Sequence, residues 1–239
     1  MVVEENTIFG IDNLNIFTDA SVKKEINGST TACSGYIALY RNYDSGLAEQ
    51  DCQILFNSTN NQAEIYAIYM GIRAAVNIKN SGVIINNINL FSDSKISVYG
   101  LRNWIVSWVE QSKGYELFSS SGLPVSNQSI FLSCIYMILR NHLNINIYHI
   151  HGHKNPKYKE QVELFMRDFE KFNNINISYP LAQSLMREND NIDNYTRKML
   201  TIQGITGFCY DDMLMKNIYN PHIFNIDEYL KLIGASKYN

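Results

Sequence analysis

The sequence predicts an α/β fold with a five-stranded mixed sheet, three antiparallel strands plus two parallel ones, flanked by helices. Two patterns carry this expectation. Three strand-like runs come first, joined by short polar connections, as in an antiparallel meander. Two later runs are separated from their neighbours by helix-length stretches, as in parallel additions to a sheet. A chain of 239 residues with 46% hydrophobic composition can also bury a core of that size.

The first strand is Leu14 to Thr18, within "LNIFTDAS". "CSGYIALYR" and "CQILFNS" are the second and third, with "NYDSGLAEQ" as the connection between them. "NNQAEIYAIYMGIRAAVNIKN" is the first long helix, since Ala63, Tyr66, Ala67, Met70 and Ala74 recur at helical spacing. "INNINLFS" is the fourth strand. "DSKISVYGLRNWIVSWVEQ" is a helix broken near Gly100, and "KGYELFSSSGLP" is a loop. "SNQSIFLSCIYMILRNHL" is a helix capped by Ser126 or Asn127. "INIYHIHGH" is the fifth strand. "YKEQVELFMRDFEKF" is amphipathic, with Tyr158, Val162, Phe165, Phe169 and Phe172 on one stripe. "NDNIDNYTRKML" reads as a helix start, and "IDEYLKLIG" as a last short helix.

The net charge of -3 and pI near 6.0 argue against a protein-wide basic face but not against a local one. The four cysteines are scattered without a CxxC pair, which argues against a disulfide framework or a cysteine-rich zinc site. No secretory signal and no membrane-length apolar run are visible. The expectation is a cytoplasmic, monomeric protein without membrane association.

Three carboxylates stand out. Asp19 ends the first strand and Asp93 the fourth. If those strands are parallel neighbours, both acids emerge at one edge of the sheet, where ligands of open α/β sheets bind. Glu64, near the start of the first long helix, can reach the same place. Three converging acids repel one another unless a cation neutralises them, and all-oxygen ligation selects Mg2+ or Mn2+. Singly, each has a plainer role as helix cap or first-turn acid. The set and its order carry the functional reading.

"FTDAS", "TNNQAEIYAI" and "FSDSK" resemble the first three motifs of type 1 ribonucleases H, in order and on the expected elements. "NWIVSW" resembles that family's tryptophan-bearing helix, and "IHGHKN" its Gly-His turn. The resemblance covers about residues 15–197. It implies hydrolysis of the RNA strand of an RNA–DNA hybrid, with 5'-phosphate and 3'-hydroxyl products. It also implies two Mg2+ ions, for which Mn2+ can substitute, held by Asp19, Glu64, Asp93 and a fourth acid. The family's fourth acid follows soon after the Gly-His turn. Here the best match, Asp193 in "NDNID", comes about 35 residues later. Asp168, Asp190, Asp211 and Asp212 are weaker candidates.

The resemblance assigns His153 to proton transfer or product release. It places Asn60 and Asn61 against the hybrid's minor groove, Thr59 near a DNA phosphate and Trp104 along the DNA-strand channel. Helix capping is the plainer reading of the asparagine pair, and core packing that of Trp104. The loop that serves some family members as a basic handle is poor in charge here, so Lys154, Lys157 and Lys159 are expected to replace it. Residues 1–200 are expected to form the ribonuclease H-like domain, with an insertion at about 154–188. Residues 201–239 would be an extension packed on or beside it.

Two other readings stand beside this one. His149, His151 and His153 alternate and could line one strand face as a zinc site. Alternatively the fold could serve as a nucleic-acid-binding module without catalysis, or as a DNA-cleaving nuclease.

Overall fold

The computed structural model describes residues 2–41, 46–202, 206–210 and 219–235. The main sheet is built from β2 (Asn13–Lys24), β3 (Thr30–Arg41), β4 (Gly46–Phe56), β5 (Asn87–Ser92), β6 (Ile145–His149) and β8 (Gly207–Phe208). Its spatial order is β6-β5-β2-β3-β4-β8. β2, β3 and β4 form the antiparallel meander, and β5 and β6 add in parallel beside β2. The sixth strand was not expected. It comes from the tail and pairs with β4 through Ile54↔Gly207 and Leu55↔Phe208. A second, two-stranded sheet joins β1 (Val2–Val3) to β7 (Asn176–Ile177).

Alternating side chains divide the core into two layers. Leu14, Ile16, Leu90 and Ile147 face α2 (Asn60–Asn80) and α5 (Gln128–Arg140). Phe17 and Phe91 face the opposite way and stack at 4.8 Å. That second layer is covered by α6 (Lys159–Asn173) and α7 (Tyr179–Met199), with α1 (Glu5–Ile8) at its rim. A row of asparagines shares this face. Asn87 donates to Asn13 at 3.0 Å, Asn89 to Asn15 at 3.1 Å, and Asn146 to Asn89 at 3.1 Å. Their amides satisfy one another, which is what lets them sit under a helical layer. The last helix, α8 (Ile226–Leu232), buries Tyr229 and Leu230 in the first layer.

Several expected boundaries move. β2 continues past Asp19 to Lys24, so Asp19 lies inside the strand rather than at its end. What stops there is the parallel pairing with β5, whose last partners are Thr18↔Ser92. β4 begins at Gly46, so part of the expected connection is strand. The helix expected to break near Gly100 is α3 (Lys95–Tyr99), a π-helical turn at Gly100–Trp104, and α4 (Ile105–Glu110). A side chain at Gly100 would collide with the Phe131 ring. α7 begins at Tyr179 with Pro180 in its first turn, so "NDNID" lies mid-helix and not at a helix start. Val162, Phe165 and Phe169 are buried as the stripe requires, but Tyr158 precedes α6 and is exposed. Among the described residues, no helix is long and apolar enough to cross a membrane.

Candidate active site

Asp19 and Asp93 immediately follow the last parallel pair of β2 and β5, so both carboxylates leave the sheet at one place. Glu64 reaches them from the second turn of α2. Ligand-capable oxygens of the three acids all lie within 4.8 Å of one another. They line an open cleft of about 940 Å3 together with Asn60, His153, Asp193 and Arg197.

These acids are uncomfortable without a cation. Burial, then the charges of Asp93 and Asp193, push Asp19 up to about 7. Burial and the charge of Asp19 raise Glu64 well above the usual carboxylate range. Burial also raises Asp93, against the opposing pull of His153. Glu64 Oε2 is buried and has no hydrogen-bond partner. An orphaned carboxylate oxygen amid like charges is stable only with a cation or a proton. The all-oxygen donor set fits a hard divalent ion such as Mg2+ or Mn2+.

Asp193 lines the same cleft from α7 but stands outside the tight trio. Its Oδ1 accepts from Arg197 Nε at 2.8 Å. One turn beyond it, the buried Thr196 hydroxyl lies 3.2 Å from Asp19 Oδ2. Sequence reasoning missed Thr196. Its position three residues after Asp193, on the same helix face, is the signal that could have found it.

The other candidate acids behave differently. Asp168 is engaged by Lys154 at 2.7 Å and by His151 at 3.4 Å, away from the cleft. Asp190 does not line it, and Asp211 and Asp212 lie outside the described residues.

His153 sits in a loop with φ +58, exposed at the cleft. The expected histidine row fails. β6 ends at His149, which is buried with Nε2 3.2 Å from the Asp93 carbonyl oxygen, and burial pushes it down to about 4. His151 turns to Asp168 instead, so no three-histidine cluster forms among the described residues.

Thr59 is the N-cap of α2, its hydroxyl accepting from the Gln62 N–H at 3.1 Å. Asn60 and Asn61 follow, both exposed, and Asn60 lines the cleft. Trp104 is 40% exposed, against Tyr99 and Trp108, whereas Trp108 belongs to the core. Lys154 corrects an expectation. Its side chain is 9% exposed and locked to Asp168, so its ammonium does not face solvent as a phosphate contact would require. Lys157 and Lys159 are exposed.

The profile of the RNase H family matches residues 12–169, more than half of the chain. The chain belongs to the RNase H family. It is a ribonuclease H-type hydrolase. It is 28% identical to ribonuclease HI of Haemophilus influenzae over 131 residues, covering 55% of this chain and 73% of that protein. It is 29% identical to ribonuclease H of Ruthia magnifica over 126 residues, covering 52% and 74%. The native protease-reverse transcriptase of Prototype Foamy Virus shares its fold with a TM-score of 0.54 at 14% identity. That match covers 82% of this chain and 21% of the viral protein. The family match ends at residue 169, so Asp193 and Thr196 lie on a helix beyond the matched stretch.

Proposed function

We propose that this chain is an endonuclease that hydrolyses the RNA strand of RNA–DNA hybrids by two-metal-ion catalysis, leaving 5'-phosphate and 3'-hydroxyl ends. One observation carries the reading. The acids Asp19, Glu64 and Asp93 converge within 4.8 Å, with an orphaned Glu64 oxygen, in an open cleft.

Asp19, Glu64, Asp93 and Asp193 would hold two Mg2+ ions, with Mn2+ able to substitute. Those ions supply charge stabilisation and a water of lowered pKa when bound. The chain's own groups do the rest. The carboxylates fix the reacting phosphodiester's position by fixing what neutralises it. His153, exposed on its loop, takes or returns a proton at the cleft mouth. Asn60 and Asn61 donate and accept at the minor groove, where 2'-hydroxyls distinguish RNA from DNA. Thr59 orders the turn that presents them, beside a DNA phosphate, and Trp104 offers a partly exposed ring to the DNA strand. Residues 1–200 are the catalytic domain in this reading. The insertion at about 154–188 delivers Asp193, and 201–239 is an extension of the domain.

The test is cleavage of labelled RNA–DNA hybrid, RNA duplex, DNA duplex and single strands, with Mg2+ or Mn2+. Multiple-turnover cutting of the RNA in the hybrid alone is expected. Cutting of duplex DNA, or binding without turnover with either ion, overturns the proposal.

A further inference from the structure

The hydroxyls of Ser21 and Thr196 form a clasp between the central strand and the helix that carries the fourth acid. Thr196 is fully buried. Its Oγ1 lies 2.9 Å from Ser21 Oγ, 3.2 Å from Asp19 Oδ2 and 3.1 Å from the Asp193 carbonyl oxygen. A hydroxyl has one proton to give and two lone pairs. With Ser21 donating to Thr196, the Thr196 proton is free for Asp19 and the Asp193 carbonyl.

A buried threonine that merely bonds back to its own helix is ordinary. That alone would need neither Ser21 nor Asp19. Here the same oxygen touches the side chain of the first acid and the backbone of the fourth. The backbone opposite makes room for it. Asp19 pairs with Gly35 in β3, and a Cβ at Gly35 would stand 3.0 Å from Thr196 Cγ2. The bare glycine lets α7 approach the sheet closely enough for the clasp to close.

We propose that Thr196, supported by Ser21, is a positioning residue that fixes the spacing and orientation of Asp19 relative to Asp193. This rests on the reading of those acids as metal ligands. It accounts for how a helix reached only after the detour through α6 and β7 returns its acid to the site. Ligating carboxylates are commonly oriented by such hydrogen bonds, and their loss weakens metal binding about 10- to 100-fold.

The experiment is Mn2+ binding by titration calorimetry on the full chain, with kcat and KM on labelled hybrid beside it. Thr196→Val keeps the volume and removes the donor. Mn2+ affinity is expected to fall about 10-fold or more, with a lower kcat and little change in KM for the hybrid. Thr196→Ser restores the hydroxyl and is expected to bind Mn2+ nearly as the parent does. Asp19→Asn is the control. If it abolishes Mn2+ binding while Thr196→Val binds normally, the positioning role is overturned and the metal-site reading stands. If Asp19→Asn also binds normally, both fall. Equal losses in Thr196→Ser and Thr196→Val would assign the effect to packing at position 196 rather than to the hydroxyl, and overturn the role. Should Thr196→Val fail to fold, Ser21→Ala decides: weakened Mn2+ binding is expected, and unchanged binding overturns the role.

Discussion

Gly152 backs onto the carboxylate of Asp93 so closely that any side chain at 152 would collide with Asp93 Oδ2. The glycine of the Gly-His turn is therefore a demand of space beside a candidate metal ligand. Gly152→Ala must displace either the Asp93 carboxylate or the loop that carries His153. A misplacement of about 1 Å can cost roughly 100-fold in rate. Turnover on a labelled hybrid is expected to fall by that order, with secondary structure by circular dichroism retained. Near-normal kcat in the alanine variant would show that the close approach has no bearing on catalysis.

Asp93 supplies the second prediction. It is held above its ordinary pKa chiefly by burial, with Asp193 adding repulsion. Asp93→Asn removes one charge from a cluster that repels itself. Cleavage is expected to be lost while the metal-free melting temperature stays level or rises. Full activity in metal-replete Asp93→Asn protein would sink the assignment.

The exposed start of α2 gives the third. Asn60 lines the cleft and Asn61 is exposed next to it, while Thr59 does the capping. Replacing both asparagines by alanine is expected to raise KM for the hybrid more than it lowers kcat, since binding is what they contribute. Unchanged KM would leave the pair with no part in recognition.

These residues were legible in the sequence to different degrees, for physical reasons. Asp19, Glu64 and Asp93 each follow a local cue: an apolar run that stops, or a helix that starts. The length of β2 beyond Asp19 was hidden because Lys23 and Lys24 extend a strand past the end of its parallel partner, where burial no longer patterns it. The start of α7 was hidden because a proline disfavours helix at the residue before it, although proline suits the first helical turn. Lys154 reads as a solvated charge in "HKNPKYK", and its partner Asp168 comes only on the next helix. Thr196 bonds to a side chain 177 residues away. Its place three residues after Asp193 marks the helix face that carries it, but not the partner on β2 that it meets.

The raised pKa of Asp19 sets a pH dependence for the metal-free protein. A carboxyl moved from its ordinary 3.8 to about 7 holds its proton in the folded state where the unfolded chain has released it. The folded state binds more protons across that window, so stability falls as pH rises from about 4 to about 7. His149 acts oppositely. Burial pushes it to about 4, so its protonation costs stability as pH falls below its ordinary 6.5. Comparing the parent with Asp19→Asn cancels the histidine. The melting temperature of Asp19→Asn is expected to match the parent near pH 4 and exceed it increasingly toward pH 7, with Mg2+ closing the gap. A gap that does not vary with pH would contradict the assignment of buried, repelling charge to Asp19.

The last prediction separates the three lysines that follow the Gly-His turn. Lys154 is buried against Asp168, and Lys157 and Lys159 are exposed, with Lys159 3.6 Å from Glu163. An exposed pair of that kind contributes little and exchanges readily for a phosphate. If Lys157 and Lys159 grip the hybrid, each neutralisation releases fewer counterions on binding. Lys157→Gln and Lys159→Gln are each expected to reduce the slope of log K against log salt by about 0.7 to 0.9. Their melting temperatures should stay near that of the parent. Lys154→Gln is expected to do the reverse. It strips Asp168 of its closest cation, so it should lower the melting temperature while the salt slope holds. Deleting the 157–172 segment removes both lysines together with the α6 face that packs under Phe91 and Tyr148. Affinity and turnover should then fall together, because α7 loses the layer that seats it. Normal turnover and an unchanged salt slope in the deletion variant would make the segment a passenger in this fold.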